Sequence, residues 1–409
     1  MAVLAMFHGV FCRGAEVAAE VCAATGFTLI DDDAICQAAA GISGMGKEKL
    51  QRAFAAKTSV FNKFTHEKEC SLAYLKLALA KRVAEDNLLL LGFAGQLIPT
   101  SISHLLRIAL IADLPYRLKV AADRHGLAEK EALKLIRRRD EDCAAWIDFI
   151  RPTPQECWDP ANYDLFLPMH KSDLAQASAL IEENALKTVV QATADSQQAA
   201  EDFRLAAEVE VALAREGHTV EVAAQAETVT LSIHKHVLML SRLEEELKSI
   251  AGRVAGVGQV VVQVGEQFHQ ANIYRKHDFS LPSRVLLVDD ERDLAQTLSE
   301  RLQLRDMGSA VAYDGASALK FLEDDEPEVM IIDLKMPGID GLEVLRKVKA
   351  TRPEIEVIIL TGHGSEADRD KCMALGAFGY LQKPVEIDKL SEMLQQAHNK
   401  IQQTAKKAE

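Results

Sequence analysis

Three short apolar runs, Val285–Val288, Val329–Ile332 and residues 357–360, constrain this chain most, because each is unbroken and helix-length amphipathic stretches separate them. Such runs suit strands buried on both faces of a parallel sheet, since a strand with one wet face would alternate. The residue that closes each run is polar. Asp289 and Asp290 follow the first run, Asp333 ends the second, Thr361 follows the third, and Lys383 comes after the aromatic run 378–381. In a parallel sheet the carboxyl ends of the strands share one edge, where α/β proteins form their ligand sites. These five residues are therefore expected to converge.

Clustered carboxylates repel unless a cation joins them, and a hard divalent ion with oxygen ligands, magnesium, fits such a cluster. Phosphoryl transfer needs an in-line nucleophile and groups that neutralise the equatorial oxygens. On these grounds Asp333 is the expected phospho-acceptor. Asp289, Asp290 and Asp333 are the expected metal ligands, Lys383 the counter-charge, and Thr361 the hydrogen-bonding partner of the new phosphoryl oxygen.

Residues about 283–402 resemble a response-regulator receiver domain: the acidic pair, acceptor, hydroxyl residue and lysine before a proline match Asp289-Asp290, Asp333, Thr361 and Lys383-Pro384. The Met336-Pro337-Gly338 turn agrees as well. The resemblance implies a flavodoxin-like order of five strands and five helices. It also implies Tyr380 as an aromatic switch residue, the Lys335 backbone carbonyl as a further Mg2+ ligand, and a sensor histidine kinase or phosphotransfer protein as partner.

A chain of 409 residues exceeds one ordinary domain and suggests about three. With 48% hydrophobic and 26% charged residues it has a soluble globular composition, and no apolar run is long enough to cross a bilayer. The opening apolar stretch is too short for a signal peptide and reads as the first strand of a cytoplasmic protein. A net charge of −14 repels a polyanion, and no basic helix with interleaved aromatics offsets it, so direct DNA binding is disfavoured. The seven cysteines form no CxxC pair and read as reduced, packed thiols. Polar interruptions place linkers at 192–201 and 266–282, giving domains at 1–191, 202–265 and 283–402 and a polar tail at 403–409.

Residues 1–191 alternate strand-like and helix-like segments, an α/β pattern. The pieces Gly26-Phe-Thr-Leu-Ile-Asp31, Leu88-Leu-Leu-Leu-Gly92, Asp113-Leu-Pro-Tyr-Arg117, His125-Gly-Leu-Ala-Glu-Lys-Glu-Ala132 and Asn162-Tyr-Asp-Leu-Phe166, taken in order, resemble the cytidylate-kinase-like family of P-loop nucleotide kinases. Where that family carries its glycine-rich phosphate loop, this chain reads Phe11-Cys12-Arg13-Gly14-Ala15, and only Gly14 remains. Glycine lets backbone N–H groups approach phosphate, and side chains at 11 and 12 crowd that approach. Gly92-Phe93-Ala94-Gly95 replaces a glycine–arginine motif, and Cys143 stands where the family has an arginine. Arg117 matches a family arginine, and Arg137–Arg139 remain in a lid-like stretch. A residual nucleotide site would draw on Arg13, Gly14, Arg117 and Arg137. The depleted charge set favours a non-catalytic domain, because phosphoryl transfer relies on positioned electrostatics. Gly41-Ile-Ser-Gly-Met-Gly46-Lys47-Glu48 has phosphate-loop spacing but follows a helix-like run and lacks the Ser or Thr after lysine, so it reads as a connection between helices.

Residues 202–265 read as helix (202–216), strand (219–223), strand (Thr228–Ile233), helix (237–254) and strand (Gln259–Val264), with one covered sheet face. This α-β-β-α-β order, with Gly256-Val257-Gly258-Gln259-Val260, resembles a BON-like module. The resemblance implies lipid, small-ligand or protein binding. His234 and His236 lack a third ligand nearby and read as surface histidines.

The expected whole is an α/β multidomain protein: a P-loop-kinase-like domain, a small α+β module and a flavodoxin-like (βα)5 receiver. The expected function is that of a phosphorelay response regulator whose output runs through protein or ligand interactions of the first two domains. Two alternatives stay open: a receiver-regulated nucleoside monophosphate kinase of cytidylate type, and a phosphorylation-switched scaffold. A homodimer is compatible with each.

Overall fold

The computed structural model describes residues 2–85, 87–151, 156–237, 239–265, 276–362 and 365–408, with side chains as far as Thr404. It divides into two compact units, Met1–Thr58 with Lys68–Tyr274, and Ser59–Glu67 with Arg275–Glu409. Most of the linker expected at 266–282, including His269, lies outside the described residues.

In the first unit, β1 (Val3–His8), α1 (Gly14–Thr25), β2 (Thr28–Asp31), α2 (Asp32–Ser43) and α3 (Lys47–Arg52) come first. The four-residue helix α4 (Asn62–Thr65) is counted in the second unit. Then follow α5 (Glu67–Val83), β3 (Leu88–Leu91), β4 (Leu105–Ile111), α6 (Leu114–His125), α7 (Glu129–Ile150), β5 (Leu165–Pro168) and α8 (Leu174–Ala185). The five strands pair in parallel in the order β2-β3-β1-β4-β5. Central β1 is buried on both faces: Val3, Ala5 and Phe7 enter one core, Leu4 and Met6 the other. This explains its unbroken apolar sequence. Gly44, with φ 72°, ends α2 before α3 begins at Lys47, so the phosphate-loop look-alike is a connection between two helices.

The next helix corrects the expected linker at 192–201. Residues Ala194–Arg215 form one helix, α9, started by Thr193, whose side chain accepts from Ser196 N while the Ser196 hydroxyl reaches back to the Thr193 N–H. Ala200, Phe203, Ala207 and Val211 pack into the α/β core, whereas Leu205, Val209 and Leu213 pack under the following sheet. That sheet contains β6 (Glu221–Gln225), β7 (Thr228–Ile233) and β8 (Gln259–Val264), with α10 (Leu240–Ala251) before β8. β7 is central, antiparallel to β6 and parallel to β8. Its inward residues Val229, Leu231 and Ile233 are fully buried against α9 and α10.

The second unit contains β9 (Val285–Val288), α11 (Arg292–Gln303), β10 (Ser309–Ala312), α12 (Gly315–Asp324), β11 (Val329–Ile332), α13 (Gly341–Thr351), β12 (Glu356–Thr361), α14 (Glu366–Ala374), β13 (Gly379–Gln382) and α15 (Ile387–Ala408). The strand order is β10-β9-β11-β12-β13, all parallel, which is the flavodoxin-like order. Leu286 and Val288 face one core while Val285 and Leu287 face the other, so helices cover both faces. The stretch expected as a polar tail from 403 continues α15 to Ala408.

Candidate functional site

Each residue of the acidic edge stands where a buried strand runs out. Backbone bonds continue the ladders past the strand ends, Asp289 N–H donating to Ala312 O at 3.1 Å and Asp333 N–H to Val288 O at 2.9 Å. The two carboxylates therefore project side by side. Oxygens of Asp289, Asp290 and Asp333 lie within 4.8 Å of one another, with Asp289 and Asp333 buried and Asp290 exposed. This donor set is all carboxylate and suits a hard divalent cation.

Lys383, just beyond β13, sends its ammonium into the cluster. Its Nζ lies 2.8 Å from Asp289 Oδ2, 3.0 Å from Asp333 Oδ2 and 3.0 Å from Glu291 Oε1. Burial raises the Asp289 pKa above the usual carboxylate range, and the Lys383 hydrogen bond opposes that rise. Burial alone would lower Lys383, yet its bonds to Asp289, Asp333 and Glu291 hold its pKa above the ordinary lysine range. Thr361 is buried at the end of β12, and Lys383 N–H donates to its carbonyl at 2.9 Å. Lys335 N–H reaches Asp333 Oδ1 at 3.4 Å, and the loop then turns back so that Gly341 N–H donates to Leu334 O at 3.0 Å. A side chain at Gly341 would meet Asp333 O at 2.0 Å, so glycine is what lets α13 start this close to the end of β11. Tyr380 is half-buried on β13 against the core; its hydroxyl is shielded and has no hydrogen-bond partner among the described residues.

The sequence reading thus placed Asp289, Asp290, Asp333, Thr361 and Lys383 on one edge, and the structure brings them there. It missed Glu291. The triple acid Asp289-Asp290-Glu291 was the available signal, and Glu291 N–H also donates to Asp289 Oδ1 at 3.0 Å.

The β1–α1 loop of the first unit is a different case. Phe11 and Arg13 both have φ 62°, a left-handed backbone that costs a side-chain-bearing residue roughly 1 kcal/mol or more. The turn that glycines would make easily is kept without them. His8 packs against Gly14 so closely that a Cβ there would lie 2.5 Å from the ring, and burial depresses the His8 pKa, leaving it neutral. Arg13 donates to Glu16 at 3.1 Å. Arg117 is held by Asp140 in a two-pronged pair at 2.9 and 2.7 Å and also donates to Val10 O. Arg137 is exposed on α7, while Arg139 lies over the Phe93 ring at 4.2 Å. Cys143 is buried among apolar groups, supplying no charge where the family has an arginine. Asp32, at the start of α2, accepts from the Phe93 and Ala94 N–H groups, and burial lifts its pKa to about 6.

The second unit has a flavodoxin-like, receiver-type fold, and residues 285–395 match the response regulator receiver domain family. Residues 3–171 match the cytidylate kinase-like family. The module at 202–265 lies between these two stretches. Response regulator MprA of Mycolicibacterium vanbaalenii is 34% identical over 110 residues, 27% of this chain and 48% of the relative. Response regulator MprA of Mycobacterium avium is 34% identical over 107 residues, 26% of this chain and 47% of that protein. The chain thus spans about half the length of the curated relatives it matches. A receiver domain protein from Clostridium thermocellum is 34% identical, with 29% of this chain and 97% of that one covered and a TM-score of 0.29. Among the described residues no helix is long and apolar enough to cross a membrane.

Proposed function

We propose that this chain is a phosphorelay response regulator in which Asp333 takes a phosphoryl group from a phosphohistidine of a sensor kinase or phosphotransfer protein. One observation carries the reading: the Lys383 ammonium bridges Asp289 and Asp333, beside Asp290, at the carboxyl edge of a parallel sheet. An Asp333 oxygen attacks phosphorus in line; the O–P bond forms as the donor's P–N bond breaks, and the protonated imidazole leaves neutral. Asp289, Asp290, Asp333 and the Lys335 carbonyl would hold Mg2+, which when bound would supply positive charge to the phosphoryl oxygens. Lys383 moves from Asp333 to a phosphoryl oxygen, Thr361 donates to another, and Tyr380 follows the displaced hydroxyl residue inward.

The output runs through binding by the first unit rather than nucleotide phosphorylation or DNA reading. Arg13 of the β1–α1 loop is engaged by Glu16 and Arg117 of α6 by Asp140, and neutral His8 covers Gly14, which leaves a poor cradle for phosphates. The β6–β8 module, read as BON-like, offers a protein or small-ligand surface. Labelling by radioactive phosphoramidate tests the acceptor: one equivalent per chain in the wild type and none in Asp333→Asn is expected, and undiminished labelling of Asp333→Asn contradicts it. Turnover of ATP with nucleoside monophosphates, above that of an Arg13→Ala/Arg117→Ala control, would instead make the chain a receiver-regulated kinase.

A further inference from the structure

Ser59–Glu67 interrupts the first unit in sequence but is part of the second. Within that unit it is well packed. Phe61 is 1% exposed and meets Phe321 of α12 edge to face, ring centres 5.8 Å apart. Phe64 lies over Gly308, where an added Cβ would come within 2.9 Å of its ring, and His277 hydrogen-bonds its backbone. Glu67 closes the segment on Arg284 at 3.4 Å, and the same guanidinium holds Glu328 at 3.1 Å. Glu328 in turn binds the buried His398 of α15 at 3.0 Å.

The helix α4 inside this segment is held by two backbone bonds of helical spacing, Thr65 N–H to Phe61 O and His66 N–H to Asn62 O. Isolated helices shorter than about 12 residues do not persist in water, so α4 exists because its surroundings hold it. Glu67 is also the first residue of α5, whose Tyr74, Leu75, Leu77 and Leu79 are buried in the α/β core. The segment is therefore continuous with a buried helix of the first unit.

We propose that Ser59–Glu67 is a built-in docking segment, and that Arg284, Gly308 and Phe321 form an interaction surface of the receiver whose occupant is this stretch of the same chain. The surface takes two aromatic side chains and one carboxylate. It stands whether or not Asp333 accepts a phosphoryl group.

Hydrogen exchange on the full chain, followed in peptides spanning 59–67, tests this. The wild type is expected to protect these amides, and Phe61→Ser and Phe321→Ala each to accelerate their exchange by about tenfold or more, with β9, β11 and β12 unchanged. Phe61→Leu, still apolar, should keep most of the protection. If Phe321→Ala also loosens the strands, Glu67→Lys serves instead, since it opposes Arg284 without touching the receiver core, and it should accelerate the same peptides. Exchange in 59–67 that is already fast in the wild type, or unaltered in both Phe321→Ala and Glu67→Lys, overturns the proposal.

Discussion

Lys383 and His398 show what single side chains hold in place. Lys383 pairs with two buried carboxylates and opposes the rise that burial causes in the Asp289 pKa; breaking such a pair from one side typically costs about 3–5 kcal/mol when fully buried, less in this partly wet site. Lys383→Met is therefore expected to lower the melting temperature near neutral pH, with magnesium restoring much of the loss because it joins the same oxygens. Calorimetry with and without the metal checks this, and an unchanged melt in both conditions would contradict it. His398 works in the opposite sense. Its hydrogen bond to Glu328 raises its pKa above the ordinary value, so its stabilisation is complete below the unfolded pKa of about 6.5 and is lost as pH rises through the folded value. Urea midpoints at about pH 6 and about pH 8 should fall in the wild type and change less in His398→Gln. The five edge residues were legible because each closes an apolar run. Glu291 was not, since an acid opening a helix is ordinary and only the fold turns it toward Lys383.

Among the elements, the strands and the alternation of helices were readable wherever apolar residues were large. Helix α9 was not. Its stripe toward the α/β core is Ala200, Phe203, Ala207, Val211 and Ala214, and alanine carries too little apolar surface to stand out among the Asp, Ser and Gln residues beside it. Yet the 3.6-residue spacing is present, and the opposite stripe of Leu205, Val209 and Leu213 serves the three-stranded sheet. One helix thus belongs to two cores. A fragment ending at Gln191 is expected to be less stable than one ending at Gly265, because losing Phe203 alone removes about 3–5 kcal/mol of packing. Thermal melts of the two fragments decide it, and equal melting temperatures would show that α9 adds nothing to the α/β core.

For the whole molecule, the second unit carries an acidic edge with its lysine in place, and the first carries a β1–α1 turn kept without glycines, whose Arg13 is engaged by Glu16. The first half of that contrast came from residue types at strand ends. The second was visible as missing glycines, but the packing of His8 on Gly14 and the pairing of Arg13 with Glu16 and of Arg117 with Asp140 are side-chain contacts that needed coordinates. The central claim is that Asp333 is a phosphoryl acceptor served by a metal. Thermal unfolding of the full chain in magnesium with beryllofluoride, a phosphoryl mimic, tests it directly, since a ligand that binds only the folded state raises the melting temperature of the unit that holds it. The account predicts an upward shift that requires both magnesium and beryllofluoride and is absent in Asp333→Asn. A shift of the same size in Asp333→Asn, or none in the wild type, would contradict it.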